Sequence, residues 1–349
     1  MLGLSITSSW GNGHASTYRG LVRELAARGH GVLFLERDMP WYRAHRDLQA
    51  IPLARIELYS SLQQLKDRFA DDVRHADVVI VGSYVPEGVA VGEWVITTAH
   101  GIPAFYDIDT PVTLAKLACG DREYLSPALV RRYRLYLSFT GGPTLECLER
   151  HYKTPRARPL YCAVDPSLYY PEACEARWEL GYLGTYSADR QPALEALLLE
   201  PARRWTQGHF VVAGPQFPPT IAWPTNVQRI EHLPPAQHRT FYNAQRFTLN
   251  LTRADMVRAG YSPSIRLFEA AACAAPIISD AWQGLETFFT LEKEILVVHA
   301  PDQTLHYLCE LPEAERLAIG WRARARVLAE HTAAHRAAEL EAYICDSSS

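Results

Sequence analysis

Short apolar runs alternate with segments of helical period along almost the whole chain. In the first half, the runs at 2–7, 31–36, 54–59, 77–82, 103–108 and 135–139 have strand length and β-branched character. Between them, 14–28, 61–74, 87–100, 111–119 and 143–152 carry the i, i+3, i+4 spacing of amphipathic helices. A proline-rich stretch from Pro155 to Pro171 interrupts the pattern, which then restarts. The second series predicts strands at 178–184, 209–213, 227–230, 246–251, 276–279 and 295–298. Its helices fall at 191–199, 235–244, 263–274 and 285–290, and a helical tail covers 312–343. Such alternation implies a largely parallel sheet with helices on both faces. The chain therefore reads as two doubly wound α/β domains, 1–170 and 171–335, with 336–349 as a tail that would cross back to the first. Ligands of open α/β sheets bind at the carboxyl ends of the strands, so a ligand cleft is expected there.

Length and composition narrow the class. A chain of 349 residues exceeds one ordinary core and suits two domains. At 48% hydrophobic and 21% charged it is globular rather than disordered. A net charge of −4 argues against a general nucleic-acid or membrane-surface binder. No apolar run reaches transmembrane length and no signal peptide is evident, which predicts a cytoplasmic protein. The seven scattered cysteines lack any CxxC pair and read as reduced, mostly buried thiols.

The densest chemistry lies in Ser262-Pro263-Ser264-Ile265-Arg266-Leu267-Phe268-Glu269-Ala270-Ala271-Ala272-Cys273. Ser262 suits an N-cap and Pro263 a first helical position. From that start Ser262, Arg266, Glu269 and Cys273 share one face. A helix N-terminus offers free N–H groups, Arg266 adds a full positive charge, and Glu269 can accept from two vicinal hydroxyls. Phosphate near the cap and ribose farther down describe a bound nucleotide. The simpler reading is an exposed Arg–Glu pair on a well-capped helix.

A second constellation follows the first strand. Trp10-Gly11-Asn12-Gly13-His14 forms a GxG turn into a helix, and Glu36 ends the next strand. One reading makes this a dinucleotide fingerprint, with Glu36 on an adenosine ribose of NAD or FAD in an oxidoreductase. The other makes the loop, residues Trp10, Gly11, Asn12 and Gly13, an acceptor site with His14 as general base. Asp107 and Asp109, at the end of another strand, are expected to reach one face together, and Asp109 can orient the imidazole. By residue type, Asp109 or Thr110 equally suits the cap of the helix starting at Pro111.

Gly11-Asn12-Gly13-His14, with Leu25-Ala26-Ala27-Arg28-Gly29-His30, resembles the opening of many GT-B glycosyltransferases. The runs 182–190, 249–256 and 260–270, with Ile277-Ile278-Ser279-Asp280 and Gly284-Leu285-Glu286, are similar to the CgeB-like branch of these enzymes, named for a spore-maturation protein. The resemblance implies the GT-B fold, two Rossmann-like domains facing a cleft. It places a nucleotide-diphosphate sugar on the C-terminal domain. Glu269 matches the ribose acceptor, while Arg266, Ser262 and Ser264 match the diphosphate end. Gly184 and Thr185 would approach the donor phosphates, with Arg190 and Arg253 as further cations. Asp280, Gly284 and Glu286 would lie near the donor sugar. Related retaining enzymes carry two glutamates separated by seven residues, and Tyr261 stands where the first would be. In many inverting members a histidine after the first strand is the base, held by an aspartate about a hundred residues on, which His14 and Asp109 fit.

The expected function is metal-independent transfer of a sugar from a nucleotide-diphosphate donor to a hydroxyl-bearing acceptor, without a cofactor. His14 and Asp109 would be catalytic, and no nucleic-acid partner is expected. A Rossmann oxidoreductase and a non-catalytic nucleotide-sugar-binding protein are the alternatives.

Overall fold

The computed structural model describes the backbone of residues 1–348 and the side chains of 1–347. It divides into two compact units. One comprises Met1–Cys162 with the C-terminal helix Ala333–Ser348, the other Ala163–Thr332.

The first unit holds seven parallel strands in the order β3-β2-β1-β4-β5-β6-β7. These are β1 (Leu2–Gly3), β2 (Val32–Arg37), β3 (Ala54–Tyr59), β4 (Val78–Gly82), β5 (Ile102–Asp107), β6 (Leu135–Ser138) and β7 (Ala157–Pro159). Every residue of β5 is buried, as a strand covered on both faces requires. The helix Ala333–Ser348 lies on His14–Ala27, and small residues permit this: a Cβ at Gly20 would sit 3.1 Å from that of Ala333. The second unit has six parallel strands in the order β10-β9-β8-β11-β12-β13. They are β8 (Trp178–Leu183), β9 (Phe210–Ala213), β10 (Val227–Ile230), β11 (Gln245–Asn250), β12 (Ile277–Ser279) and β13 (Leu296–Val297). Both strand orders reverse next to the first strand, the topological switch point at which such sheets bind ligands.

Several elements differ from the sequence pattern, each for a local reason. The run 2–7 is strand only to Gly3, because the Glu36 carboxylate draws residues 5–7 out of the ladder. The helix expected from Pro263 starts at Ile265. Tyr261 donates its N–H to Gln283 O and holds the chain off helical geometry, so Ser262 is not the N-cap. Ser264 takes that position, but its hydroxyl bonds Asn250 rather than the helix. The run at 285–290 contracts to a 3₁₀ turn, Leu285–Thr287. The tail breaks into Glu313–Glu330 and Ala333–Ser348 around Thr332, which bridges to Val164. In the helix from Gln191 to Arg204, Glu195–Leu199 widens to a π turn before Pro201, whose missing N–H interrupts the α ladder. Of the seven free cysteines only Cys162 and Cys273 are buried, so the expectation of mostly buried thiols fails.

Candidate functional site

In the first unit, the loop after β1 is tied down by its own polar side chains. Gly11 supplies the positive φ (+58°) the turn needs, whereas Gly13 has an ordinary helical φ and stands at the N-cap. Asn12 is buried, donates to Ser5 O and Ser8 O, and accepts from the His14 N–H at 3.1 Å. This fixes the start of the helix and aims His14. Its Nε2 lies 3.6 Å from Asp109 Oδ2, and Tyr84 donates its hydroxyl to the same oxygen at 3.3 Å. The Tyr84 and His14 rings pack with centroids 5.5 Å apart. His14 Nδ1 is buried without a hydrogen-bond partner among the described residues. Asp109 occupies the N-cap of Thr110–Ala118 but makes no side-chain cap, so its carboxylate is available to the imidazole.

Asp107 does not join this pair. It is fully buried, accepts from Tyr136 Oη at 2.5 Å and Thr113 Oγ1 at 2.7 Å, and points into the unit. The strand ends at Asp107, so period-two alternation no longer relates it to Asp109. Burial pushes the Asp107 carboxyl up to about 6 against the pull of the Tyr136 and Thr113 bonds. The folded state therefore holds this proton more tightly than the unfolded chain, whose aspartate titrates near about 4. Stability associated with Asp107 is full below about pH 4 and falls as pH rises to about 6. In Asp107→Asn that fall disappears. Urea midpoints measured from pH 4.5 to 7 should shift toward the variant as pH rises, and parallel curves would contradict the assignment.

Glu36 settles the fate of the dinucleotide reading. It is fully buried, and its two oxygens accept four bonds, from the Ile6 and Thr7 N–H groups and the Ser5 and Thr7 hydroxyls, at 2.7–3.0 Å. A carboxylate so saturated organises the loop after β1 and has no lone pair to offer a ribose.

In the second unit, three arginines gather where β8 and β11 end. Arg266 donates Nη1 to Leu183 O (2.9 Å) and Nη2 to Leu251 O (3.0 Å), and it lies over the Tyr182 ring. Arg190 donates to Thr185 O at 2.6 Å. Arg253 stands at the N-cap of Ala254–Ala259. The Nε of all three is buried and has no hydrogen-bond partner among the described residues. Burial lowers the Arg190 pKa, and the charges of Arg266 and Arg253 lower it further, so the arginines feel one another. Gly184 is required here, since a Cβ would lie 2.6 Å from both Arg266 Nη1 and Tyr182 Oη. Gly184 and Thr185 thus bring the backbone close to the guanidinium groups.

Glu269 lies a turn along the helix Ile265–Ala272. At 3% exposure it cannot form the exposed Arg–Glu pair of the simpler reading. Tyr242 Oη donates to Oε2 at 3.1 Å, Tyr169 adds a side-chain bond, and His238 Nδ1 stands 3.9 Å away. Burial raises the Glu269 pKa; His238, Tyr169 and Tyr242 oppose the rise. The sequence pattern does not single out these three or Tyr84. Tyr242 and His238 lie on Pro235–Asn243, whose apolar period signals packing, and Tyr169 lies in the proline-rich stretch from Pro155 to Pro171.

The remaining donor-side residues serve one another. Asp280, at the end of β12, accepts from the Thr252 N–H and hydroxyl, each at 2.8 Å, and Glu286 accepts from Gly284 N–H at 3.1 Å. Ser262 is buried. Tyr261 has φ +48°, and Gly284 (φ +92°) leaves room for its ring: a Cβ there would come within 2.5 Å.

Residues 190–342 match the family model described as glycosyl transferase-like. No curated protein sequence is significantly similar to the chain. Among solved structures, sucrose-phosphate synthase from Thermosynechococcus elongatus superposes with TM-score 0.71 at 16% identity, covering 99% of this chain and 98% of that one. HepE of Anabaena, in complex with UDP and glucose, gives 0.71 at 10% identity and 99% of both chains. An alpha-glucosyltransferase in complex with UDP-glucose and DNA containing an abasic site gives 0.74 at 12% identity, with 99% and 98% covered. Identities this low speak to the fold, which is GT-B, and no helix among the described residues is long and apolar enough to cross a membrane. The chain thus has the GT-B fold, and its residues 190–342 match a glycosyl transferase-like domain.

Proposed function

We propose that the chain transfers a sugar from a nucleoside-diphosphate donor to a hydroxyl-bearing acceptor, with the second unit holding the donor and the first supplying the base. The observation that carries the donor side is the triplet Arg190, Arg253 and Arg266, three half-buried arginines each with a buried Nε that no described residue satisfies. Buried donors normally have partners, and a diphosphate offers several charge-assisted ones. Donors fixed in place before the reaction stabilise the departing diphosphate without reorganising. Glu269 is the ribose acceptor in this reading. His14, oriented through Nε2 by Asp109, takes the acceptor proton on Nδ1. Division of Asp107 from Asp109 removes the one Asp-x-Asp pair that might have shared an ion, which supports transfer without a metal. The runs 182–190 and 260–270 support placement nearest the CgeB-like branch.

A thermal-shift panel of UDP, GDP, TDP, ADP and NADH tests the donor side. A nucleoside diphosphate at ~100 times its Kd should add roughly 2.7 kcal/mol of stability. Stabilisation by NADH alone would contradict the proposal. Glu269→Gln keeps the shape of the side chain and removes its charge. It should weaken the stabilising nucleoside diphosphate on the order of tenfold or more, the worth of hydrogen bonds to a charged group, and leave pyrophosphate binding unchanged. Because burial raises the Glu269 pKa, wild-type affinity should also fall toward acid pH as the carboxylate takes up a proton. Calorimetry on the variant should lack that fall; equal pH profiles would remove Glu269 from the ribose site.

A further inference from the structure

Asp107 is buried in the first unit and has no part in the proposed reaction, yet a continuous line of hydroxyls joins it to Asp109 and His14. Thr113 Oγ1 donates to Asp107 Oδ1 at 2.7 Å and lies 2.8 Å from Tyr124 Oη. Tyr124 shares a side-chain bond with Tyr84, their ring centroids 4.6 Å apart. Tyr84 Oη donates in turn to Asp109 Oδ2, the oxygen that faces His14 Nε2. Thr113 and Tyr124 are buried, and valine and phenylalanine would fill the same space. Burying a carboxyl costs stability that an apolar side chain of its size would not. Tyr84 stands at φ +61°, a left-handed conformation that a bulky residue rarely adopts, and such strain collects at working sites.

We propose that Asp107 is a positioning residue of the reaction, setting through this line of hydroxyls how firmly Tyr84 holds Asp109. This rests on the reading of His14 as the base. With both carboxylates ionised, Thr113 donates to Asp107 and Tyr84 to Asp109. Tyr124 has one proton and two neighbours, so one link in the line lacks a proton. A proton on Asp107 fills that link. Every donor can then point toward Asp109, each bond polarising the next, and Tyr84 holds Asp109 more tightly. A carboxylate so held is a weaker partner for the imidazole, and His14 is a weaker base. Ionised Asp107 draws Thr113 and Tyr124 the other way and releases Asp109 to His14. The titratable groups facing Asp107 are Tyr18, Tyr84, Tyr124, Tyr136 and Asp109, with His14 beyond. Burial holds the tyrosines above their ordinary range, so none ionises near neutrality. Lys116 packs over the Tyr84 and Tyr124 rings and is paired with Glu123. The Asp107 carboxyl, which burial places at about 6, therefore sets the direction of the line.

The test has a kinetic and a spectroscopic arm. The first follows turnover of UDP-glucose, or of the sugar of whichever nucleoside diphosphate stabilises the chain, from pH 5 to 7. Asp107→Asn is neutral, like the protonated acid. It should be about tenfold slower than wild type at pH 7, the order of a weakened bond to a charged group, and should match wild type at pH 5. Stability moves the opposite way, the variant gaining on wild type as pH rises, so a folding defect cannot produce this pattern. Tyr124→Phe cuts the line and leaves Asp107 to titrate; it should show the same weakened dependence on pH as Asp107→Asn. The second arm needs no substrate. In His14→Ala protein isotope-labelled at tyrosine Cζ, the Tyr84 signal should step at about pH 6. Adding Asp107→Asn or Tyr124→Phe should abolish the step. A deficit of Asp107→Asn that is equal at pH 5 and 7, or a Tyr84 step that survives Tyr124→Phe, would overturn the proposal. An intact step in a chain that turns over no nucleotide sugar would uphold the line of hydroxyls and overturn the glycosyltransferase reading instead.

Discussion

Arg266→Ala should lower affinity for the nucleoside diphosphate and for pyrophosphate together, on the order of a hundredfold or more. That is the usual cost of truncating one partner of a desolvated charge pair, 2–5 kcal/mol or thereabouts. Losing pyrophosphate as well distinguishes it from Glu269→Gln, which should spare pyrophosphate. Arg266 also has a structural task, since it bridges the carbonyls of Leu183 and Leu251 at the ends of β8 and β11. Its removal leaves two acceptors to find water, at roughly 1–3 kcal/mol each if they stay buried. One effect runs the other way. The arginines repel one another, so deleting a charge relieves Arg190. That relief offsets part of the stability lost with the two carbonyl bonds. Arg266→Lys keeps the charge but cannot span both carbonyls with one ammonium, and should fall between wild type and alanine. Calorimetric titration of the three proteins with pyrophosphate decides the matter. Wild-type affinity in a folded Arg266→Ala protein would show that the anion binds elsewhere.

The two-unit architecture was legible because parallel strands buried on both faces read as continuous apolar runs, and 227–230 in the sequence pattern is β10 in the structure. What escaped was set by side chains reaching across the fold. Nothing local to 5–7 ends β1; Glu36, some thirty residues on, does so. β7 was lost in a proline-rich stretch because three residues on the sheet edge carry no period. The same distinction runs through the sites. Arg190, Arg253 and Arg266 follow strands or open helices, where sheet topology alone gathers them. Tyr84 beside Asp109, and Tyr242, Tyr169 and His238 beside Glu269, become neighbours only through packing. Spacing cannot distinguish them from core aromatics. The helix Ile265–Ala272 shows the limit most clearly. Its polar residues stand out in the sequence, yet its start and its cap depend on Gln283 and Asn250, contributed from other elements.

His14→Ala should slow release of nucleoside diphosphate from the donor sugar by about 10²–10⁴-fold, the range of a positioned general base, without changing nucleoside diphosphate affinity. That separation is expected because the arginines and Glu269 belong to the other unit. Asp109→Asn tests the orienting role. Asparagine can turn its NH₂ toward Nε2 and favour the wrong tautomer, moving the imidazole proton to Nδ1, the nitrogen assigned to accept. Asp109→Asn should thus approach His14→Ala in severity. Tyr84→Phe removes one bond to the same carboxylate oxygen and should cost less. The variants also form a cycle. If His14 and Asp109 act as one unit, the double variant should be scarcely slower than His14→Ala, because an orienting group has nothing left to orient. Multiplying effects would mean that the two act independently and that the 3.6 Å approach of Nε2 to Oδ2 has no catalytic meaning. Full turnover in His14→Ala would move the base to another residue.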